Sequence, residues 1–209
     1  MLNRLIQSIV EGEAEDVARL TREALDANIP VKEILDNGLV RALDLVGEQF
    51  SKGEIFFPEL LVAGDAAQAA LELLRPELSK REGSYIGRCA IGTVQGDVHD
   101  IGKNIVIMML EGNGWQVVDL GIDVPARRFC EVVEEGGLDL LGIGAYLTST
   151  APKLAETIKA LSDAGLRDRV KIMVGGVPVT QALADEIGAD AYGSTAVDAV
   201  AKARALVAK

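Results

Sequence analysis

The chain of 209 residues contains one histidine, His99, set in the segment Val94-Gln-Gly-Asp-Val-His-Asp-Ile-Gly-Lys-Asn-Ile-Val106. An imidazole binds a metal through one ring nitrogen while the other donates its proton to an acceptor that fixes the tautomer. Asp97, two residues before the histidine, is the natural acceptor. Gly102, three residues after it, marks a turn that admits something bulky. A plainer reading keeps His99 as a loop residue satisfied by Asp97 or Asp100, with either aspartate capping the helix that follows.

The elements that must hold this segment fall into two halves. From Leu2 to about Lys80 the apolar residues recur at helical spacing, in stripes at Leu5, Ile6 and Ile9, at Val17, Leu20 and Ala24, at Leu35, Leu39 and Val46, and at Leu61, Ala67 and Leu71. Pro58 suits the first turn of the fourth helix. Lys80 to Gly87 breaks the pattern and reads as a linker. Beyond it, short apolar runs at 88–94, 115–120, 138–143, 170–174 and 189–193 each precede a helical stretch, which indicates a parallel sheet covered on both faces. In such sheets ligands gather at the carboxyl ends of the strands. Gly96, Gly102, Gly144, Gly175, Gly176 and Gly193 fall there.

Composition narrows the function. Hydrophobic residues at 49% and charged residues at 25% predict a chain that folds throughout. The net charge of −11 argues against nucleic-acid binding, which needs a basic stripe. No apolar run approaches a membrane span and the amino terminus lacks a signal-peptide layout, so a cytoplasmic protein is expected. The two cysteines, Cys89 and Cys130, are too few and too distant for a disulfide framework. With no second histidine and no cysteine pair, a metal on His99 must take its other ligands from a cofactor that brings its own ring. Haem and corrinoid both qualify.

Forty-one residues separate Gly102 from the strand end Gly144-Ala-Tyr146, and 28 more separate that end from Gly175-Gly176. With the motif Asp97-x-His99-x-x-Gly102, these elements resemble the signature of the cobalamin-binding domain shared by methionine synthase, corrinoid methyltransferase proteins and some mutases. Gly53-Glu-Ile-Phe-Phe-Pro-Glu-Leu-Leu61 is similar to the helical cap over methylcobalamin in the methyl-transferring branch. The resemblance implies an α/β fold in two parts: a four-helix bundle cap at 1–82 and a Rossmann-like, flavodoxin-like five-stranded domain at 87–209.

The resemblance further implies a corrinoid, as methylcobalamin or hydroxocobalamin, bound with its benzimidazole tail detached and buried beside the sheet. His99 then ligates cobalt, and Asp97 and Thr150 form a relay behind it. The residues assigned to the cofactor are Gly96, Asp97, Val98, His99, Asp100, Ile101 and Gly102 after the first strand, and Gly144, Tyr146, Leu147, Thr148 and Thr150 after the third. Gly175, Gly176 and Val177 follow the fourth strand, Tyr192 and Gly193 lie on the fifth, and Phe56 and Leu60 belong to the cap. Of the two phenylalanines, Phe56 is expected over the cofactor and Phe57 in the bundle core. The family has serine and leucine where this chain has Gly144 and Tyr146. The glycine gives room, and the tyrosine adds a ring beside the tail.

The implied role is a methyl carrier without catalysis of its own. A substrate-specific methyltransferase would load it from methanol, a methylamine or an aromatic methyl ether. An acceptor methyltransferase would unload it to tetrahydrofolate or coenzyme M, with a reductive activator as a third partner. Two other classes fit less well. A cobalamin-dependent sensor needs a separate DNA-binding chain. A phosphate-binding receiver needs acidic and lysine residues at strand ends that here carry Gln95-Gly96, Gly144-Ala145 and Tyr192-Gly193.

Overall fold

The computed structural model describes residues 1–78 and 85–208, so most of the expected linker, 80–84, lies outside the described residues. The chain divides into two compact units, Met1–Ile86 with Met108–Trp115, and Gly87–Ile107 with Gln116–Lys209.

The first unit contains the four expected helical segments: α1 (Leu2–Glu11), α2 (Ala14–Asp26), a third running through α3 (Val31–Ile34), a π-helical stretch (Leu35–Val40) and α4 (Arg41–Ser51), and α5 (Phe57–Leu78). Most of their apolar stripes are buried, with Leu5, Ile9, Val17, Leu20, Leu39, Val46, Ala67 and Leu74 forming the core, but Leu61, expected in the fourth stripe, is exposed. The π-helical stretch is the departure from sequence expectation. It keeps Leu35, Gly38 and Leu39 all buried, with Gly38 so close to Leu5 that a Cβ would lie 3.0 Å from its Cδ2. Gly12 ends α1 in the left-handed region at φ 76°, and an added Cβ would run into Val62 of α5. Glu59 begins α5 by accepting the Phe56 amide at 2.9 Å, one half of a capping box.

The second unit is a five-stranded sheet in the order β2-β1-β3-β4-β5, formed by β1 (Gly87–Val94), β2 (Trp115–Val124), β3 (Leu140–Gly144), β4 (Lys171–Gly175) and β5 (Ala191–Gly193). The pairs β1/β3, β3/β4 and β4/β5 are parallel. This is the flavodoxin-like order, whose topological switch point lies between β1 and β3. Helices α6 (Ile101–Gly112), α7 (Ala126–Glu135), α8 (Pro152–Asp163), α9 (Gln181–Ile187) and α10 (Ala196–Val207) make the crossovers and close the chain. On one face Ala90, Leu141, Ile143, Ile172 and Val174 pack beneath Phe129 and Val133 of α7 and Leu154, Ile158 and Leu161 of α8. Side chains alternate along a strand, so Ile91, Gly142, Gly144, Met173 and Gly175 turn to the opposite face.

Candidate functional site

That opposite face is left open by glycine. The strand register sets Gly144 beside Gly175 and Gly175 beside Gly193, one row of three glycines across β3, β4 and β5. Above the row lies a cavity of about 310 Å³, walled by Gly102, Lys103 and Val106 of α6 and by Ala196 and Ala199 of α10. Tyr146, Gly176, Val177, Tyr192 and Gly193 line it as well. Gly176, at φ 119°, comes so near the Ala145 carbonyl that no Cβ would fit.

His99 stands at the carboxyl end of β1, on a loop fixed from three sides. Its Nδ1 is 2.7 Å from Oδ1 of Asp97, and its amide donates to the same oxygen at 3.2 Å. The buried Thr93 hydroxyl donates to the His99 carbonyl at 3.0 Å. Asp97 is fully buried, yet every hydrogen bond to it is matched to a carboxylate. Oδ2 accepts from the Thr150 hydroxyl at 2.6 Å and from the amides of Tyr146 at 2.7 Å and Leu147 at 3.3 Å. Burial pushes the Asp97 carboxyl up, but the bonds from Thr150, the Tyr146 amide, and the ring and amide of His99 outweigh it and hold the group well below the usual carboxylate range. An ionised carboxylate accepts a hydrogen bond from Nδ1–H, and in the neutral imidazole Nε2 then bears the lone pair. The His99 side chain is half exposed, so that nitrogen is available for a ligand.

Tyr146 links this loop to the cavity. Its ring centroid is 5.9 Å from that of His99, tilted by 32°. Ideal Cβ atoms on Gly102 and Gly144 would lie 2.7 Å and 3.2 Å from its ring carbons. Burial pushes the Tyr146 hydroxyl up to about 12, aided by the negative charges of Asp97 and Asp100, so the group remains a protonated donor.

Just beyond the carboxyl ends of β1, β3 and β4, Val98 and Ile101 are each 68% exposed, Leu147 is 41% exposed and Val177 87%. Four apolar side chains on three strand ends form a rim suited to a broad, flat ligand. Gly96, Asp100 and Thr148 are exposed beside them. The structure thus gathers the predicted residues of the second unit at one end of the sheet. In the first unit Phe56 and Phe57 are both exposed, whereas Leu60 is buried in the bundle. The capping bond from the Phe56 amide starts the helix at this point, and the 3.6-residue period turns Leu60 inward.

Sequence reasoning passed over Asp123 and Thr93. Asp123 adopts φ 52°, its amide donates to the Asp97 carbonyl at 3.0 Å, and its carboxylate accepts the Gly96 amide at 2.7 Å. It lies in Gly121-Ile-Asp-Val124, beyond the apolar run 115–120 taken for the strand, and nothing in the residue types there signals its role.

The residues present fit a corrinoid. One imidazole with a fixed tautomer, with an apolar rim and a side-chain-free floor at the same end of the sheet, is what a planar tetradentate cofactor with a bulky appendage requires. Among the described residues no three His, Cys, Asp or Glu side chains converge on a metal, so further ligands would have to come from outside the protein. No helix among them is long and apolar enough to cross a membrane.

Comparisons with known proteins agree. Residues 87–201 and 1–75 match two family models, each described as a B12 binding domain. Trimethylamine corrinoid protein 2 of Methanosarcina mazei is 44% identical over 200 residues, covering 95% of this chain and 92% of the relative. The crystal structure of a cobalamin-binding protein from Desulfitobacterium hafniense DCB-2 has 33% identity and a TM-score of 0.80, covering 99% of this chain and 98% of that one. A chain of the methanol:cobalamin methyltransferase complex of Methanosarcina barkeri has 31% identity and a TM-score of 0.83, with 98% of this chain and 78% of that one covered. With both halves matched, and an accessible imidazole at the same end of the sheet as a glycine-floored cavity, the chain belongs to the B12-binding corrinoid proteins, and its cofactor is a corrinoid.

Proposed function

We propose that this protein carries methyl groups between two methyltransferases, holding cobalamin with the lower base detached and His99 in its place. When bound, the corrinoid supplies a cobalt centre that takes up and gives away a methyl group. Nε2 of His99 would hold the cobalt. Asp97 keeps the Nδ1 proton and so keeps Nε2 basic, and Thr150 holds Asp97 in place. The glycine-floored cavity receives the nucleotide tail. Phe56 and Phe57, the exposed aromatics of the first unit, are the side chains available to shield the methyl group from water, and Leu60 supports them from within the bundle.

The names of the relatives support a donor methyltransferase for a methylamine or methanol, with aromatic methyl ethers as the remaining candidates. The acceptor enzyme would deliver to tetrahydrofolate or coenzyme M, and a reductive activator would restore inactive cofactor. The observation that carries the reading is the hydrogen-bonded chain Thr150, Asp97, His99, which ends on a free, accessible imidazole nitrogen.

Reconstitution with hydroxocobalamin, followed by the paramagnetic spectrum of the cobalt(II) form, tests it. One corrinoid per chain is expected, with splitting from an imidazole nitrogen that disappears in His99→Ala. A protein that remains colourless overturns the reading. Incubation with trimethylamine or methanol and the matching methyltransferase should produce the methylcobalamin spectrum; binding without turnover with any donor enzyme would favour a sensor instead.

A further inference from the structure

Tyr146 is the side chain common to the ligand loop and the cavity. Its ring neighbours His99, and it packs on Gly102 at the start of α6 and on Gly144 at the end of β3, while both glycines and Tyr146 itself line the cavity. His99 is not among the cavity-lining residues. The ring thus lies beside both His99 and the cavity, where a group reaching from a metal on His99 into the cavity would meet it. We infer that Tyr146 selects corrinoids by their lower nucleotide: its ring occupies the mouth of the tail cavity and must swing aside for a cofactor that carries a nucleotide, but not for one that lacks it.

The ring can move without disturbing the ligand loop. Asp97 grips Tyr146 through the backbone amide, at 2.7 Å, so rotation about χ1 leaves that bond intact. The two surfaces on which the ring rests are glycines, whose missing Cβ atoms leave it no interlocking neighbour there. The half-buried ring also carries a hydroxyl able to hydrogen-bond an acceptor once displaced. This inference rests on the corrinoid reading above.

The test compares hydroxocobalamin, which carries the nucleotide, with cobinamide, which has the same corrin ring and none. Association with the full-length apoprotein is followed by the visible spectrum after rapid mixing. Tyr146→Ala should bind hydroxocobalamin about tenfold faster, the factor that removing ~1.4 kcal/mol from a barrier gives, with the cobinamide rate unchanged. Tyr146→Phe should behave as the native protein, because the ring and not its hydroxyl is the obstacle. An unchanged or slower hydroxocobalamin rate in Tyr146→Ala, or equal acceleration of both corrinoids, overturns the inference. If Tyr146→Ala fails to fold, Tyr146→Leu decides by the same comparison. Failure of the native protein to bind either corrinoid would sink the corrinoid reading itself, and is thereby distinguished from failure of this inference.

Discussion

Thr150 Oγ1 lies 2.6 Å from Oδ2 of Asp97, 53 residues away in the chain, and Asp97 in turn holds His99 through its other oxygen. The same hydroxyl is 3.0 Å from the Leu147 carbonyl, and having a single proton it can satisfy only one of these acceptors. The charged oxygen at the shorter distance is the stronger partner.

Thr150→Val should lower stability at pH 7 by ~2 kcal/mol, the range for a hydrogen bond to a charged group. The sign with pH follows from Asp97, whose folded carboxyl is held below its ordinary value. Its contribution is complete above the unfolded pKa of about 3.9 and is lost as pH falls below that value, because there the unfolded chain binds the proton and the native one does not. Thr150→Val brings the folded value back up. Urea unfolding of the two proteins should therefore differ at pH 7 and converge in acid.

Asp97→Asn keeps the shape but replaces one oxygen with a donor. The amides of Tyr146 and Leu147 already donate to Oδ2, so the new NH2 meets donors there or, if flipped, meets the ring nitrogen of His99. Either way a buried polar group loses its partner, at a cost of about 1–3 kcal/mol. The imidazole splitting of the cobalt(II) form should weaken or disappear even if corrinoid is retained.

Asp123 makes its two bonds from a left-handed backbone. Asp123→Asn can keep both the conformation and the acceptor, and should be near native. Asp123→Gly suits the backbone but frees the Gly96 amide. Asp123→Ala loses the bond and adds strain of about 1–2 kcal/mol. Thermal stability should follow the order Asn, Gly, Ala, and nitrogen NMR of the His99 ring should show growing disorder in its tautomer along the same series.

Gly176 and Gly121 both have positive φ, but only Gly176 is enclosed. Gly121→Ala, with no atom within 4 Å of its Cβ, should destabilise by only the backbone term of about 1–2 kcal/mol. Gly176→Ala must also push away the Ala145 carbonyl, and should lower the urea midpoint further while releasing bound corrinoid.

The fold was legible wherever periodicity was strong. Strands β1, β3 and β4 begin and end within two residues of their apolar runs, since each is buried and bounded by turn residues. β2 was read too short, because Gly121 looks like a strand end, yet its amide is held by Asp119 at 2.9 Å and the strand continues to Val124. The helix containing Gly38 gave no sign of its π-helical stretch, in which Gly38 packs closely on Leu5 of α1, a tertiary contact that the helical period alone does not reveal. Phe57 was expected in the core and is 47% exposed, a position set by where the capping bond starts α5. His99 and Asp97 were visible by type and spacing, and Thr150 only through the family resemblance. Asp123 was not, because its role runs through backbone bonds and a φ angle that no residue name reveals.

The glycine row has a thermodynamic corollary. Gly144, Gly175 and Gly193 pair through their backbones, and on the cavity side they offer no side chain to pack. One end of the sheet is thus a half-built core whose missing groups must arrive with a ligand. Binding would complete it by mass action, raising stability as the logarithm of free corrinoid over its dissociation constant. Amide exchange at the ends of β3, β4 and β5 should slow on loading more than exchange in the interior of β1, so that the empty and loaded proteins differ in rigidity as well as in colour.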